Sequence, residues 1–368
     1  MAFELSRRRF EHILLIKPSS LGDVIHALPV LHGLRQRYPG ARISWLLASS
    51  LVDLLRGHPD LDEVIPFDRT RFAALGRSLP VTVEFAAFVR DLRARRFDLV
   101  VDLQGLFRSG FLAAASGAGV RIGFADAREL GWVFYTHRLP ALPFESHAAE
   151  LNYRIATLLG FPDWPMRCQL HLIPEDHRVA RRLLHDAGVR DGERLALLVP
   201  GARWETKRWP ARKFGELADR LSRDAGYRVV LLGSRAERPL GQAVAAASGS
   251  PVIDLIGRTD LRQLMAVIAA ADLVVTNDSG TKDIAAAFHR PLVCLYGPTN
   301  PRRTGPMLGR GRVVRLEVPC SPCYLKTLAQ CPHEHRCLRD LEADAVFGQI
   351  AALPGSGSPR SGSPLGKP

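Results

Sequence analysis

Residues 194–232 read RLALLVPGARWETKRWPARKFGELADRLSRDAGYRVVLL. Arg194 opens a leucine-rich run of strand length, Pro210 marks the start of an amphipathic stretch, and Tyr227 begins a second β-rich run. Strand, helix and strand in that succession predict a parallel βαβ unit. The pattern continues toward the C-terminus: RPLGQAVAAAS, DLRQLMAVIAAA and GTKDIAAAFHR read as helices that alternate with the strands PVIDLIG, DLVVTND and PLVCLYGP.

The same alternation runs upstream. HILLIKPS, ARISWLLAS, EVIPF and FDLVVDLQG read as strands, with helices over Val24 to Tyr38, LVDLLRGHP and VEFAAFVRDLRARR between them. The Pro- and charge-rich stretch from Phe161 to His185 separates the two series and reads as the linker. The expected organisation is a Rossmann-like domain over 1–172, a second over 173–353, and a disordered Gly/Ser/Pro tail over 354–368. Two doubly wound α/β domains of this kind present the loops at their strands' carboxyl ends to a central cleft.

Composition agrees with two folded domains. The 368 residues are 46% apolar and 24% charged, which excludes a disordered chain. A formal charge of +13 favours an anionic partner, whether nucleic acid, anionic lipid or a phosphorylated small molecule. The apolar run Ile13 to Ile16 is too short for a secretion signal, and no run reaches the ~18 apolar residues of a membrane span. A cytoplasmic protein is the expectation.

Four loops at predicted strand ends carry the chemistry. In KPSSLGDVIHALP, Gly22 allows close backbone approach, and Asp23 either caps the following helix or projects into the cleft. In PGARWETKRWP, Arg203, Lys207 and Arg208 precede a helix start that adds partial positive charge; this is a diphosphate loop or a solvated basic one. In GSRAERP, Glu237 stands where an acidic residue accepts from ribose hydroxyls, or else pairs with Arg235 or Arg238 at the surface. In TNDSG, Asp278, Ser279 and Gly280 turn directly into a helix and leave free N–H groups, as an anion site or a plain cap would.

Taken in order, KPSSLGDVIHALP, DLQGLFRS (102–109), PGARWETKRWP, TNDSG and LYGPTNPRRTGP (295–306) resemble glycosyltransferase family 9, the heptosyltransferases of lipopolysaccharide core assembly. The resemblance spans roughly Ile13 to Ile350. It implies a GT-B type α/β fold, with acceptor held by the N-terminal half and an ADP-activated sugar by the C-terminal half, and metal-independent transfer with inversion. It places Asp23 on the family's general base, Lys207 on the lysine contacting the donor diphosphate, Glu237 on the acidic donor-binding position, and Asp278, Ser279 and Gly280 on the donor turn.

Arg203 and Arg208 join Lys207 as expected donor contacts. Ser19, Ser20, Gln104, Arg108 and Arg121 are expected on the acceptor side, where the partner is a phosphorylated glycolipid. Arg90, Arg93, Arg95 and Arg96 are either a solvated helix face or contacts to anionic lipid at the cytoplasmic face of the inner membrane. The chain departs from the family where a His usually follows the DSG turn: here stands Asp283, preceded by Lys282. An Asp beside a phosphate repels it. The departure therefore points to weaker donor binding, a different donor, or a compensated site in which an inward-facing Lys282 supplies the missing donor contact.

Cys320, Cys323, Cys331 and Cys337 crowd into PCSPCYLKTLAQCPHEHRC, with His333 and His335 among them. Four thiolates, or three with a His, suit a structural zinc, although the second C-x5-C spacing is wide for a zinc ribbon; reduced thiols are the alternative. The segment is not needed for the expected chemistry. Competing functions are a same-fold enzyme with another nucleotide-sugar donor or acceptor, and a non-enzymatic nucleotide- or RNA-binding protein. The basic–aromatic alternation of a single-strand platform is absent from the sequence, so no nucleic-acid partner is expected.

Overall fold

A computed structural model describes residues 5–141, 145–161, 167–307 and 311–353. The expected disordered tail, 354–368, lies outside them. The chain divides into two compact units, Met1–His171 and Leu172–Pro368.

The first unit carries β1 (His12–Ile16), β2 (Arg42–Ala48), β3 (Glu63–Phe67), β4 (Leu99–Asp102), β5 (Val120–Phe124) and β6 (His137–Leu139). The second carries β7 (Arg194–Val199), β8 (Tyr227–Leu231), β9 (Ile253–Asp254), β10 (Leu273–Asn277), β11 (Leu292–Leu295) and β12 (Gly311–Val314). Both sheets are parallel throughout, ordered β3-β2-β1-β4-β5-β6 and β12-β11-β10-β7-β8-β9. Read from β9, the second order repeats the first. Ile13, Leu14, Leu15 and Ile16 are fully buried, as are Leu197 and Leu198, because a parallel sheet covered on both faces needs continuous apolar runs.

That topology fixes where ligands bind. Strand order reverses direction beside β1 and β4 in the first unit and beside β7 and β10 in the second, and loops leaving adjacent carboxyl ends diverge there to open a crevice. KPSSLGD and DLQGLFRS follow β1 and β4; PGARWETKRWP and TNDSG follow β7 and β10. Four of the five family motifs thus stand at the two switch points.

Several local expectations change. The helix expected over Val24 to Tyr38 is two helices, Leu21–Ile25 and Leu28–Arg37, because Pro29 lacks the N–H that a continuous helix needs and instead sits in a first turn. Of LVDLLRGHP, only LVDL is helical, as the end of a 3₁₀ helix over Ser49–Leu54. The linker is shorter than expected: Pro174–Asp186 is helical, started by Pro174 and by Asp176 accepting from the Ile173 N–H, and Asp176 also pairs with Arg262. Arg121, expected on the acceptor side, lies inside β5.

Candidate active site

In the first unit, β1 delivers Lys17 and the loop after it delivers Ser19, Ser20 and Asp23. Ser20 is the N-cap, and its N–H and hydroxyl donate to Asp23 Oδ2 at 3.0 and 2.7 Å. Asp23 therefore is a capping residue, and both bonds fall on one oxygen. Burial pushes its carboxyl up, but the Lys17 charge and the two Ser20 bonds outweigh it and hold Asp23 below the ordinary carboxylate range. Lys17 is itself buried; it donates to Leu103 O at 2.7 Å, and desolvation lowers its pKa against the pull of Asp23 and Asp102.

Asp102 ends β4 fully buried and organises the neighbouring loop. It accepts from Tyr135 Oη at 2.7 Å and from the Gln104 and Gly105 N–H groups at 2.8 and 3.3 Å. Burial outweighs these bonds and raises its pKa. A cavity of about 320 Å³ opens beside this loop, lined by Ser19, Gln104 and Arg108 together with Arg69 and Phe107. Gln104 Oε1 is buried with no hydrogen-bond partner among the described residues.

Arg121 does not line this cavity. Its guanidinium donates to Phe134 O at 2.8 Å and Ala118 O at 2.6 Å, bracing β5. Arg69 is the cation that sequence reasoning missed. It donates to Ser19 Oγ at 3.0 Å and also lines an adjoining cavity of about 660 Å³, yet it lies in an unremarkable FDRT stretch with no motif signal. Of the arginines considered for lipid, Arg95 is committed to Glu63 and Arg90 lies beside Asp91. His147 is a helix N-cap, accepting from Ala149 N.

In the second unit, the two switch-point loops are stitched together. Asn277 Nδ2 donates to Pro200 O at 2.8 Å and its Oδ1 accepts from Trp209 N at 3.0 Å, bracketing the basic loop. Lys207 Nζ donates to Asp278 Oδ2 at 2.5 Å and lies 4.5 Å from the Trp204 ring centre. Thr299 donates to the same oxygen at 2.8 Å, and Lys282 Nζ stands 3.4 Å from Asp278 Oδ1. Burial pushes the Asp278 carboxyl up, but the two lysine charges and these bonds hold it below its ordinary value. Asp278 is thus a buried anchor for Lys207.

Ser279 caps the helix Gly280–Ala287 by position only. Its hydroxyl turns to Thr281 and Thr276, at 2.5 and 3.1 Å, and makes no capping bond to the first-turn N–H groups. Glu237 accepts from the Ser234 N–H and hydroxyl at 2.7 and 2.9 Å. A Cβ on Gly201 would meet Glu237 Oε1 at 2.0 Å, so the expected acidic position and the basic loop are in direct contact, and the glycine is required. Arg203 is exposed, whereas Arg208 Nε donates to Ala202 O at 2.9 Å and closes the loop.

Lys282 and Asp283 depart from expectation together. Both are buried, and Lys282 donates to Asp283 at 2.9 and 3.1 Å. Burial alone would lower the lysine pKa, but Asp283 and Asp278 raise it instead. Lys282 is therefore compensation rather than a donor contact: it neutralises Asp283 inside the fold.

Cys320, Cys323, Cys331 and Cys337 are free thiols that line one cavity of about 270 Å³ with His333. Among the described residues no group of three or more His, Cys, Asp or Glu is arranged to hold a metal ion. Nor is any described helix long and apolar enough to cross a membrane.

The chain is similar to E. coli heptosyltransferase WaaC with ADP, at TM-score 0.72 and 27% identity over 92% of this chain and 99% of that one. Fold and site together define a glycosyltransferase of the GT-B class. The family model for glycosyltransferase family 9 (heptosyltransferase) matches residues 85–332, and the chain belongs to that family. It is 33% identical to lipopolysaccharide heptosyltransferase 1 of Pseudomonas aeruginosa, over 90% of this chain and 92% of that protein. To lipopolysaccharide heptosyltransferase 2 of Salmonella typhimurium it is 32% identical, over 93% and 98%.

Proposed function

We propose that this enzyme transfers a heptose from ADP-heptose to the lipid A–Kdo inner core of lipopolysaccharide, with inversion and without a metal ion. The observation that carries this reading is the Lys207–Asp278 pair at the switch point of the second sheet. It presents an ammonium beside an uncapped helix start, the arrangement a diphosphate leaving group needs. The acidic groups nearest that turn, Asp278 and Asp283, are already neutralised by lysines, so they offer no charge to a divalent cation.

Asp23 takes the proton from the acceptor hydroxyl as that oxygen attacks the anomeric carbon in a single displacement, and the glycosidic oxygen of the departing ADP leaves with its electron pair. Because Asp23 is held below the ordinary range, it is ionised throughout neutral pH. Proton transfer to so weak a base comes late, once bond formation has made the hydroxyl acidic. Lys207, Arg203 and the helix start at Gly280 stabilise the charge that grows on ADP.

On the acceptor side, Ser19, Gln104, Arg108 and Arg69 supply polar and cationic contacts for a phosphorylated sugar. Phe107, Leu130 and Val133 are 48, 61 and 49% exposed on the same unit, and Phe107 belongs to the cavity wall. Exposed apolar side chains of this size suit the lipid portion of the acceptor at the cytoplasmic face of the inner membrane. The test is incubation with ADP-heptose and truncated lipid A-core acceptors in the presence of EDTA. One heptose added by mass, with ADP released, is expected; sugar-nucleotide hydrolysis without transfer, or transfer abolished by EDTA, contradicts the reading.

A further inference from the structure

We propose that the cysteine-rich segment 320–337 is a positioning strap for the loop that carries Lys207, and that donor binding depends on it. The inference rests on the reading of Lys207 as the diphosphate contact.

Three consecutive residues before Lys207 are held by this segment. Buried Thr206 donates from Oγ1 to Leu325 O at 2.6 Å, and its own carbonyl accepts from His335 Nε2 at 2.7 Å. Glu205 Oε2 accepts from Leu328 N at 2.9 Å. Lys326 Nζ lies 5.5 Å from the Trp204 ring centre, the ring that Lys207 also meets.

The other end of the segment grips the loop after β11. Ser321 Oγ donates to Gly297 O at 2.5 Å, and the Cys323 and Tyr324 N–H groups donate to Pro298 O at 3.1 and 2.8 Å. The next residue, Thr299, bonds Asp278 Oδ2. Both groups that donate to that oxygen, Lys207 and Thr299, therefore adjoin residues tied to one segment. A Cβ on Gly297 would stand 3.0 Å from Cys337 Sγ, so the thiol-lined cavity packs directly against this loop. Two loops separated by about ninety residues of chain are kept in register by a segment that touches both.

The test uses the full chain, with ADP as the probe in titration calorimetry. Thr206→Val removes the hydroxyl and keeps the shape; it is expected to weaken ADP binding at least about fivefold, with Thr206→Ser within twofold of the parent. Glu205→Ala, at an exposed tie, is expected to weaken ADP two- to threefold and guards against a Thr206→Val chain that does not fold. ADP is also expected to slow alkylation of Cys320, Cys323 and Cys331 by N-ethylmaleimide at least threefold. Parent-like ADP binding in Thr206→Val and Glu205→Ala, or equal alkylation with and without ADP, overturns the strap. Parent-like ADP binding in Lys207→Ala overturns the reading of Lys207 beneath it, a separate outcome.

Discussion

The ammonium of Lys207 and the carboxylate of Asp278 meet at 2.5 Å, with Asp278 4% exposed and Lys207 18%. The pair is asymmetric. Asp278 also accepts from Thr299 and faces Lys282, so it is the anchored partner, and the more exposed lysine is the one proposed to meet a ligand. Asp278→Asn keeps the shape and removes the charge that balances two lysines. Removing one partner of a buried ion pair costs about 3–5 kcal/mol, so a loss of that order in denaturant unfolding is expected, accompanied by weaker ADP binding. An unchanged unfolding midpoint contradicts the anchor role.

Lys282 and Asp283 form a second buried pair, and their energetics are separable by a double-mutant cycle. Lys282→Met alone leaves Asp283 buried without compensation and is expected to destabilise by about 3–5 kcal/mol. Lys282→Met with Asp283→Asn is expected to recover most of that loss, because a neutral replacement of a whole buried pair is often tolerated. Additive losses would show that the two charges do not compensate each other. This pair also explains why an acidic residue is tolerated beside the donor turn.

These two pairs mark the boundary of what the sequence discloses. The alternating runs disclose both sheets, and the loops that carry Asp23, Lys207, Glu237 and Asp278 are legible as strand-end loops. Lys282 reads as a donor contact and Asp283 as a charge facing the donor, since nothing in GTKDIAAAF says that the two side chains are buried against each other. VRIGF, HRL and GRVV are too short to announce β5, β6 and β12, so the place of Arg121 inside β5 is not legible from the sequence. The ties from Thr206 to Leu325 and His335 span 119 and 129 residues, and no local pattern encodes contacts at that range.

The pH dependence follows from Asp23. Its folded pKa lies below the ordinary value, so the carboxylate stays charged as pH falls, and the stability it contributes is present above the ordinary carboxylate pKa and is lost progressively as pH falls from there through the lowered folded pKa. Turnover is expected to be flat on the acid side from pH 8 down to about pH 5, provided the protein remains folded. Lys17→Met removes the largest contribution that lowers the Asp23 pKa and leaves the burial penalty, so its acid limb is expected to move upward. A parent acid limb near pH 6 to 7, or no movement in Lys17→Met, contradicts this assignment.

The most direct measurement compares the parent and Asp23→Asn at saturating ADP-heptose, with heptose transfer and ADP affinity read on the same preparations. Asparagine can still accept from the Ser20 N–H through its side-chain oxygen, so the cap is largely kept while the base is removed. Loss of a general base typically costs about 10²–10⁴-fold in rate. Turnover is expected to fall by that order with ADP affinity within about twofold. Turnover equal to the parent, or a loss confined to ADP binding, contradicts Asp23 as the group that accepts the proton.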